Sequence, residues 1–128
     1  MKRLTGEWVA KAEGDYRSME REMRARRDPN YDDTCFHAQQ CAEKYLKGRL
    51  YEAGIRFTRT HDLKALLGLV LAAEPLWEAH RADLIFLNEF SVELRYPGKF
   101  ANREKALDAR TRCRAFRKSA RAALRLLA

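Results

Sequence analysis

The chain has 128 residues, of which 46% are hydrophobic and 34% charged, with a formal net charge of +8. This length suits one domain, 1–128, with a single substantial core, and the composition excludes an intrinsically disordered chain. The N-terminus lacks the apolar stretch of a signal peptide, and the longest apolar run, Ala65 to Ala73, is far short of the ~20 residues of a membrane span; a cytoplasmic protein with no membrane segment is expected.

Only three prolines and six glycines occur, and Val, Ile and Thr are scarce, which favours helix over sheet. The first predicted helix runs from about Gly6 to Arg26, with Leu4, Trp8, Ala12, Tyr16, Met19 and Met23 as its inward stripe. RRDPNYDD breaks it, because Pro29 cannot continue a helix and Asp28, Asn30 and Asp32 favour turns and caps. The second helix, about Asp33 to Ala53, stops at Gly54 as a C-cap.

Thr60 is placed to cap a third helix, HDLKALLGLVLAA, with Leu63, Leu66, Leu67, Val70 and Leu71 buried. After Pro75 a fourth helix covers roughly Trp77 to Arg95, with Leu84, Leu87, Phe90 and Leu94 inward, and ends at YPG. Asn102 caps a fifth, which continues almost to Ala128 along Ala106, Ala109, Cys113, Phe116, Ala120, Leu124 and Leu127. Short connections favour antiparallel neighbours, so the expected fold is an all-α up-and-down bundle of four or five helices.

Cys35, Cys41 and Cys113 show no metal-binding spacing, and an odd count fits free thiols acting as small buried hydrophobes. The sequence points to no metal and no cofactor.

The positive charge is uneven. From Asn102 to the end, nine Lys/Arg stand against two acids, a net +7 of the chain's +8. Arg103, Arg110, Arg114, Arg117, Arg121 and Arg125 form a ridge about 30 Å long at helical rise, expected on the side of the helix away from its apolar seam. Arginine forks suit phosphate, so RNA or a nucleotide is one expected partner and an acidic protein another. Basic residues late in a helix also simply complement its dipole, and no aromatic residue interleaves these to stack a base.

The second helix poses a question of its own in CFHAQQCAEKYLKGRL, residues 35–50. Cys35, Ala38, Ala42, Tyr45, Leu46 and Arg49 make one inward stripe. His37, Gln40, Cys41, Lys44 and Gly48 make a second face that mixes small residues with a few specific polar ones. Gly48 costs about 1 kcal/mol relative to Ala in a helix interior, which is reasonable where another helix or backbone must come close. This face is expected to meet a partner subunit, a paired protein or a polar pocket.

FHAQQCAEKYLKGRL on the second helix, THDLKALL opening the third and LRYPG closing the fourth together resemble the HEPN domain family, over about Gly6 to Leu126. The resemblance implies a helical bundle similar to the helical half of kanamycin nucleotidyltransferase, and commonly a homodimer. It implies one of two functions. Many members are metal-independent ribonucleases, often toxins, in which an Arg is followed four to six residues later by a His; the His exchanges a proton with the RNA 2′-hydroxyl and the Arg steadies phosphate charge. Others lack that motif and serve as partners or substrate-positioning modules of minimal nucleotidyltransferases.

Arg95 is in the matching place, but the positions for the His hold Phe100, Ala101 and Asn102, and Tyr96 follows the Arg where the nuclease pattern is usually polar. The expectation is therefore a non-catalytic module in a toxin–antitoxin-like pair, with His37, Gln40, Lys44, His61, Arg95 and Tyr96 as its ligand or partner face. Two alternatives stay open: a ribonuclease using Arg95 with a displaced His37 or His61, and a purely structural dimerisation module. Structural roles are also open for each residue, namely backbone bonding at a helix start for His61, a helix end for Arg95 and a helix stop for Tyr96.

Overall fold

Capping residues and a few special backbone positions decide where the helices of this chain begin and end. The computed structural model describes every residue except Val92, Glu93, Arg95 and Ala128. Among the described residues the fold is all-helical: α1 (Arg3–Arg24), α2 (Tyr31–Glu52), α3 (Leu63–Val70), α4 (Arg81–Asn88) and α5 (Arg103–Ala123), with 3₁₀ segments at Pro75–His80 and Glu89–Ser91.

Asn30 caps α2 by accepting from the Asp33 amide at 3.0 Å, and Asp32 and Asp33 sit in the first turn, where the helix dipole favours them. Gly54, at φ 73°, ends α2 with the Ile55 amide donating back to the Leu50 carbonyl, a Schellman closure. Asn102 caps α5 through the Lys105 amide at 2.8 Å.

Helix α1 starts at Arg3 and stops at Arg24 against the expected Gly6 to Arg26, α2 starts at Tyr31 in place of Asp33, and three further boundaries differ more consequentially from the sequence-based expectation. The cap of α3 is Asp62, which accepts from the Lys64 and Ala65 amides, while Thr60, two residues earlier, accepts from the Asp62 amide. The expected single fourth helix is α4 flanked by 3₁₀ turns; Asn88, at its end, turns its side chain to α3, accepting from the Leu63 amide and donating to Asp62. And α5 stops at Ala123 instead of running on towards Ala128. Its C-terminus closes as α2 does, with the Leu126 amide on the Arg121 carbonyl, but the left-handed position is Arg125 at φ 59°. Leu127 is thereby thrown out of the seam and is 87% exposed.

Side-chain register gives the helix directions. Lys2 and Thr5 meet Glu52, and Glu13 meets Tyr45, so α1 and α2 are antiparallel. Glu13 meets Arg117 and Glu20 meets Arg114, so α1 and α5 are antiparallel too. Asp83 meets Arg112, and the His80 ring stacks edge-on against Phe116, so α4 also opposes α5. The α2–α3 pair departs from this alternation: Gln39 and Glu43 meet His61, whereas Arg49 meets Glu74. Residues 55–61, an extended stretch, climb back along α2, because an extended residue covers about twice the axial distance of a helical one.

Helix α2 is central. Its Cys35, Ala38, Cys41, Ala42, Tyr45, Leu46 and Leu50 are buried among Ala12 and Met19 of α1, Leu63, Leu66, Leu67 and Val70 of α3, Leu84 and Leu87 of α4, and Ala106, Ala109, Cys113, Phe116 and Ala120 of α5. All three cysteines are free and buried, and burial pushes the Cys35 thiol up to about 12. Among the described residues no helix is long and apolar enough to cross a membrane.

Candidate functional site

The second face of α2 looks at α1 of the same chain. An Ala methyl at Gly48 would lie 3.1 Å from the Trp8 Cβ, so the glycine permits the close approach of these two helices. One turn and three turns back from Gly48, Lys44 and His37 converge on Asp15 of α1. The His37 ring nitrogen Nδ1 lies 2.8 Å from Asp15 Oδ1, and Lys44 Nζ donates to Oδ2. Burial disfavours the Asp15 carboxylate, but the hydrogen bonds from His37 and Lys44 outweigh it and hold Asp15 below its ordinary value. Thus His37 and Lys44, read from sequence as facing a partner, are engaged within the bundle.

A second carboxylate–histidine pair lies on the other flank of α2. Glu43 is only 3% exposed; it accepts from buried Lys47 at 3.1 Å and from Gln39 at 3.2 Å, and its Oε1 is 2.9 Å from His61 Nδ1. Gln39 also donates to the His61 carbonyl, and Gln40 donates to Gln39. The His61 side chain is nonetheless 71% exposed. With Nδ1–H donated to Glu43, Nε2 is the acceptor that faces outward, a geometry in which a buried acid orients an accessible imidazole.

Helix α5 corrects the picture of a solvated arginine ridge. Arg117 donates to both oxygens of Glu13, at 2.7 and 2.7 Å, and its guanidinium lies 4.0 Å from the Tyr16 ring centroid. Arg114 grips Glu20 in the same two-pronged way, and Arg121 donates to the Tyr45 hydroxyl and the Leu127 carbonyl. Burial works against the Glu13 carboxylate, but Arg117 and Tyr45 bond it and hold it below its usual range, while burial and Glu13 push the Tyr45 phenol up. These arginines lie on the flank of α5 turned towards α1, not opposite its seam. Arg103 is exposed, Arg110 has a buried Nε with no hydrogen-bond partner among the described residues, and Arg125 has left the helix.

The remaining sequence-picked residues do not join one pocket. Tyr96 is exposed beyond α4, and Arg95 lies outside the described residues. Phe100 is exposed, the Ala101 amide donates to Asp32 at 2.7 Å, and Asn102 is occupied as the α5 cap. Among the described residues no group of His, Cys, Asp and Glu could hold a metal ion.

A profile of the HEPN domain matches residues 5–123, nearly the entire chain. The chain belongs to the HEPN domain family. No curated protein and no solved structure gives a significant match. In this HEPN chain the residues that sequence reading missed are the acids Glu13, Asp15, Glu20 and Glu43, which organise every polar cluster described above. A signal was present: Glu13 and Glu20 are one heptad apart beside the apolar stripe of α1, a spacing that complements Arg114 and Arg121, also one heptad apart on an antiparallel helix, with Arg117 between them.

Proposed function

We propose that this HEPN chain is a non-catalytic, cytoplasmic, single-domain module that forms a homodimer and serves a minimal nucleotidyltransferase, as one half of a toxin–antitoxin-like pair. The observation that carries this reading is at the family's nuclease motif: positions 100, 101 and 102 offer Phe, Ala and Asn in place of His, and the Asn102 oxygen is engaged by the Lys105 amide. An amide side chain cannot exchange the proton that 2′-hydroxyl attack requires. The reading is supported further by His37, which bonds Asp15 on the opposite side of α2 from His61. No cofactor or metal is needed for such a role. Light scattering of the pure protein should give twice the chain mass, and mixing with a minimal nucleotidyltransferase should give a stoichiometric complex that survives nuclease. RNA cleavage by the pure protein that disappears in Arg95→Ala would overturn it.

A second reading is favoured by one specific feature, the outward imidazole of His61 held by Glu43 at 2.9 Å. It is a ribonuclease with a displaced general base. That reading requires cleavage with a pH–rate profile governed by one histidine-like group, and loss of cleavage in His61→Ala.

A further inference from the structure

The ion pairs between α1 and α5 redistribute the charge of the molecule. On α5, Arg114, Arg117 and Arg121 are neutralised by Glu20 and Glu13, and Arg112 by Asp108 and Asp83. The same contacts draw the acids of α1 inward: Glu13 and Glu20 turn towards α5, and Asp15 turns towards His37 and Lys44. Glu22 accepts from the Asn30 amide, and Glu7, nearer the N-terminus, pairs with Arg3.

What α1 leaves outward is a row of arginines. Arg17, Arg21 and Arg24 step by four and three, directly opposite buried Ala12 and Met19, and Arg26 and Arg27 follow in the chain just past the helix end, after the extended Ala25. All five are exposed, and none has an ion pair or hydrogen-bond partner among the described residues. Asp28 is the one exposed acid beside them in the chain, at the far end of the row. By sequence alone residues 1–28 hold eight Lys/Arg and six acids, which is why the patch is invisible until the acids find their partners.

We infer that this outer face of α1, through Arg17, Arg21, Arg24, Arg26 and Arg27, binds the phosphate backbone of a nucleic acid. Helical rise sets Arg17, Arg21 and Arg24 about 4.5 to 6 Å apart along one line, comparable to the separation of neighbouring phosphates on a strand, and each guanidinium offers a fork of N–H donors that matches phosphate oxygens. The face has no aromatic or large aliphatic side chain: upstream of Arg17 it continues as Gly14 and Ala10. It therefore lacks both the apolar centre of a protein–protein interface and the stacking platforms of a base reader, and suits contact with backbone alone. The row ends at residues 28–32, which share a cleft with Phe100 and Ala101 and accept from the Ala101 amide through Asp32; the site does not depend on the nucleotidyltransferase reading.

The test is fluorescence anisotropy with a short labelled single-stranded RNA, the same sequence as DNA, and an RNA duplex, over about 50 to 200 mM salt. The full chain is compared with Arg17→Gln/Arg21→Gln/Arg24→Gln, Arg17→Glu/Arg21→Glu/Arg24→Glu, and a control on α5, Arg103→Gln/Lys118→Gln. Loss of three phosphate contacts lowers the salt slope by roughly 2 to 3, which over that salt range is a change of about 20- to 40-fold in how far affinity falls. The Gln variant keeps the helix intact and isolates charge; thermal melts of each variant confirm folding. A slope that drops in both α1 variants and not in the control supports the site, and the three probes tell which nucleic acid it takes. An unchanged slope in the Gln variant, an equal loss in the α5 control, no binding by the unaltered chain at low salt, or equal displacement of RNA by poly-glutamate would each overturn it.

Discussion

Glu13 and Arg117 are joined by two hydrogen bonds, each 2.7 Å long, across 104 residues of chain. The pair fixes the register of the first helix against the last, and Tyr45 of the central helix donates to the same carboxylate. Removing the charge while keeping the shape isolates that role. Glu13→Gln leaves Arg117 and Arg121 without their anion in a mostly enclosed site, and hydrogen bonds to charged groups are worth about 1.5–3 kcal/mol. The expected outcome is a destabilisation of roughly that size in urea unfolding, with an unchanged m-value.

Acid should unfold the bundle through the same carboxylates. Glu13 and Asp15 both have folded-state values below their ordinary 4.5 and 3.8. For such groups the folded chain binds fewer protons than the unfolded chain, so their contribution is complete above those ordinary values and is lost as pH falls through them and on through the lower folded values. Melting temperature should be nearly flat from neutral pH down to about 5 as far as these two groups govern it, and then fall. The fall should be shallower in Glu13→Gln and shallower again when Asp15→Asn is added.

Glu43 holds buried Lys47 and orients His61, and the two duties separate by mutation. Glu43→Gln strands a buried ammonium and should destabilise by about 3 kcal/mol or more. Adding Lys47→Met should restore much of that, since an apolar side chain of similar length needs no anion. His61→Ala removes a mostly exposed ring and should change stability by less than about 1 kcal/mol. Chemical denaturation of the three variants checks all of this in one series.

The two Schellman closures make a matched pair of opposite predictions. Arg125 occupies a left-handed position at φ 59°, where an L side chain costs about 1–2 kcal/mol. Arg125→Gly should stabilise the chain by about 1 kcal/mol. Gly54→Ala, at φ 73°, should destabilise it by a similar amount. Thermal melts of both are decisive.

Much of the fold was legible before any coordinates. The inward stripes of α2, α3 and α5 come from residues three and four apart, and Leu63, Leu66, Leu67, Val70, Cys113, Phe116 and Ala120 are buried where that periodicity puts them. Asn102 as the cap of α5, Gly54 as the stop of α2 and Gly48 as a point of close approach follow from local backbone chemistry alone. The end of α5 did not, because the residue in the left-handed position is an arginine and carries no signal; Leu127 went with it.

The candidate site was legible only in part. His37, Lys44 and His61 were picked out as unusual, but their partners Asp15 and Glu43 were not, since an acid among many acids looks like ordinary surface. The amino-acid sequence by itself determined the helices, their apolar seams and the family, because those depend on periodicity and caps within one segment. Only the tertiary structure decided which charges are free. Glu13 and Glu20 reach Arg117 and Arg114 solely because α1 and α5 lie side by side, and a Coulomb interaction depends on distance in space rather than along the chain. That pairing silences Arg114, Arg117 and Arg121, half of the ridge that stands out in the sequence, and leaves exposed, on α1, arginines that do not stand out.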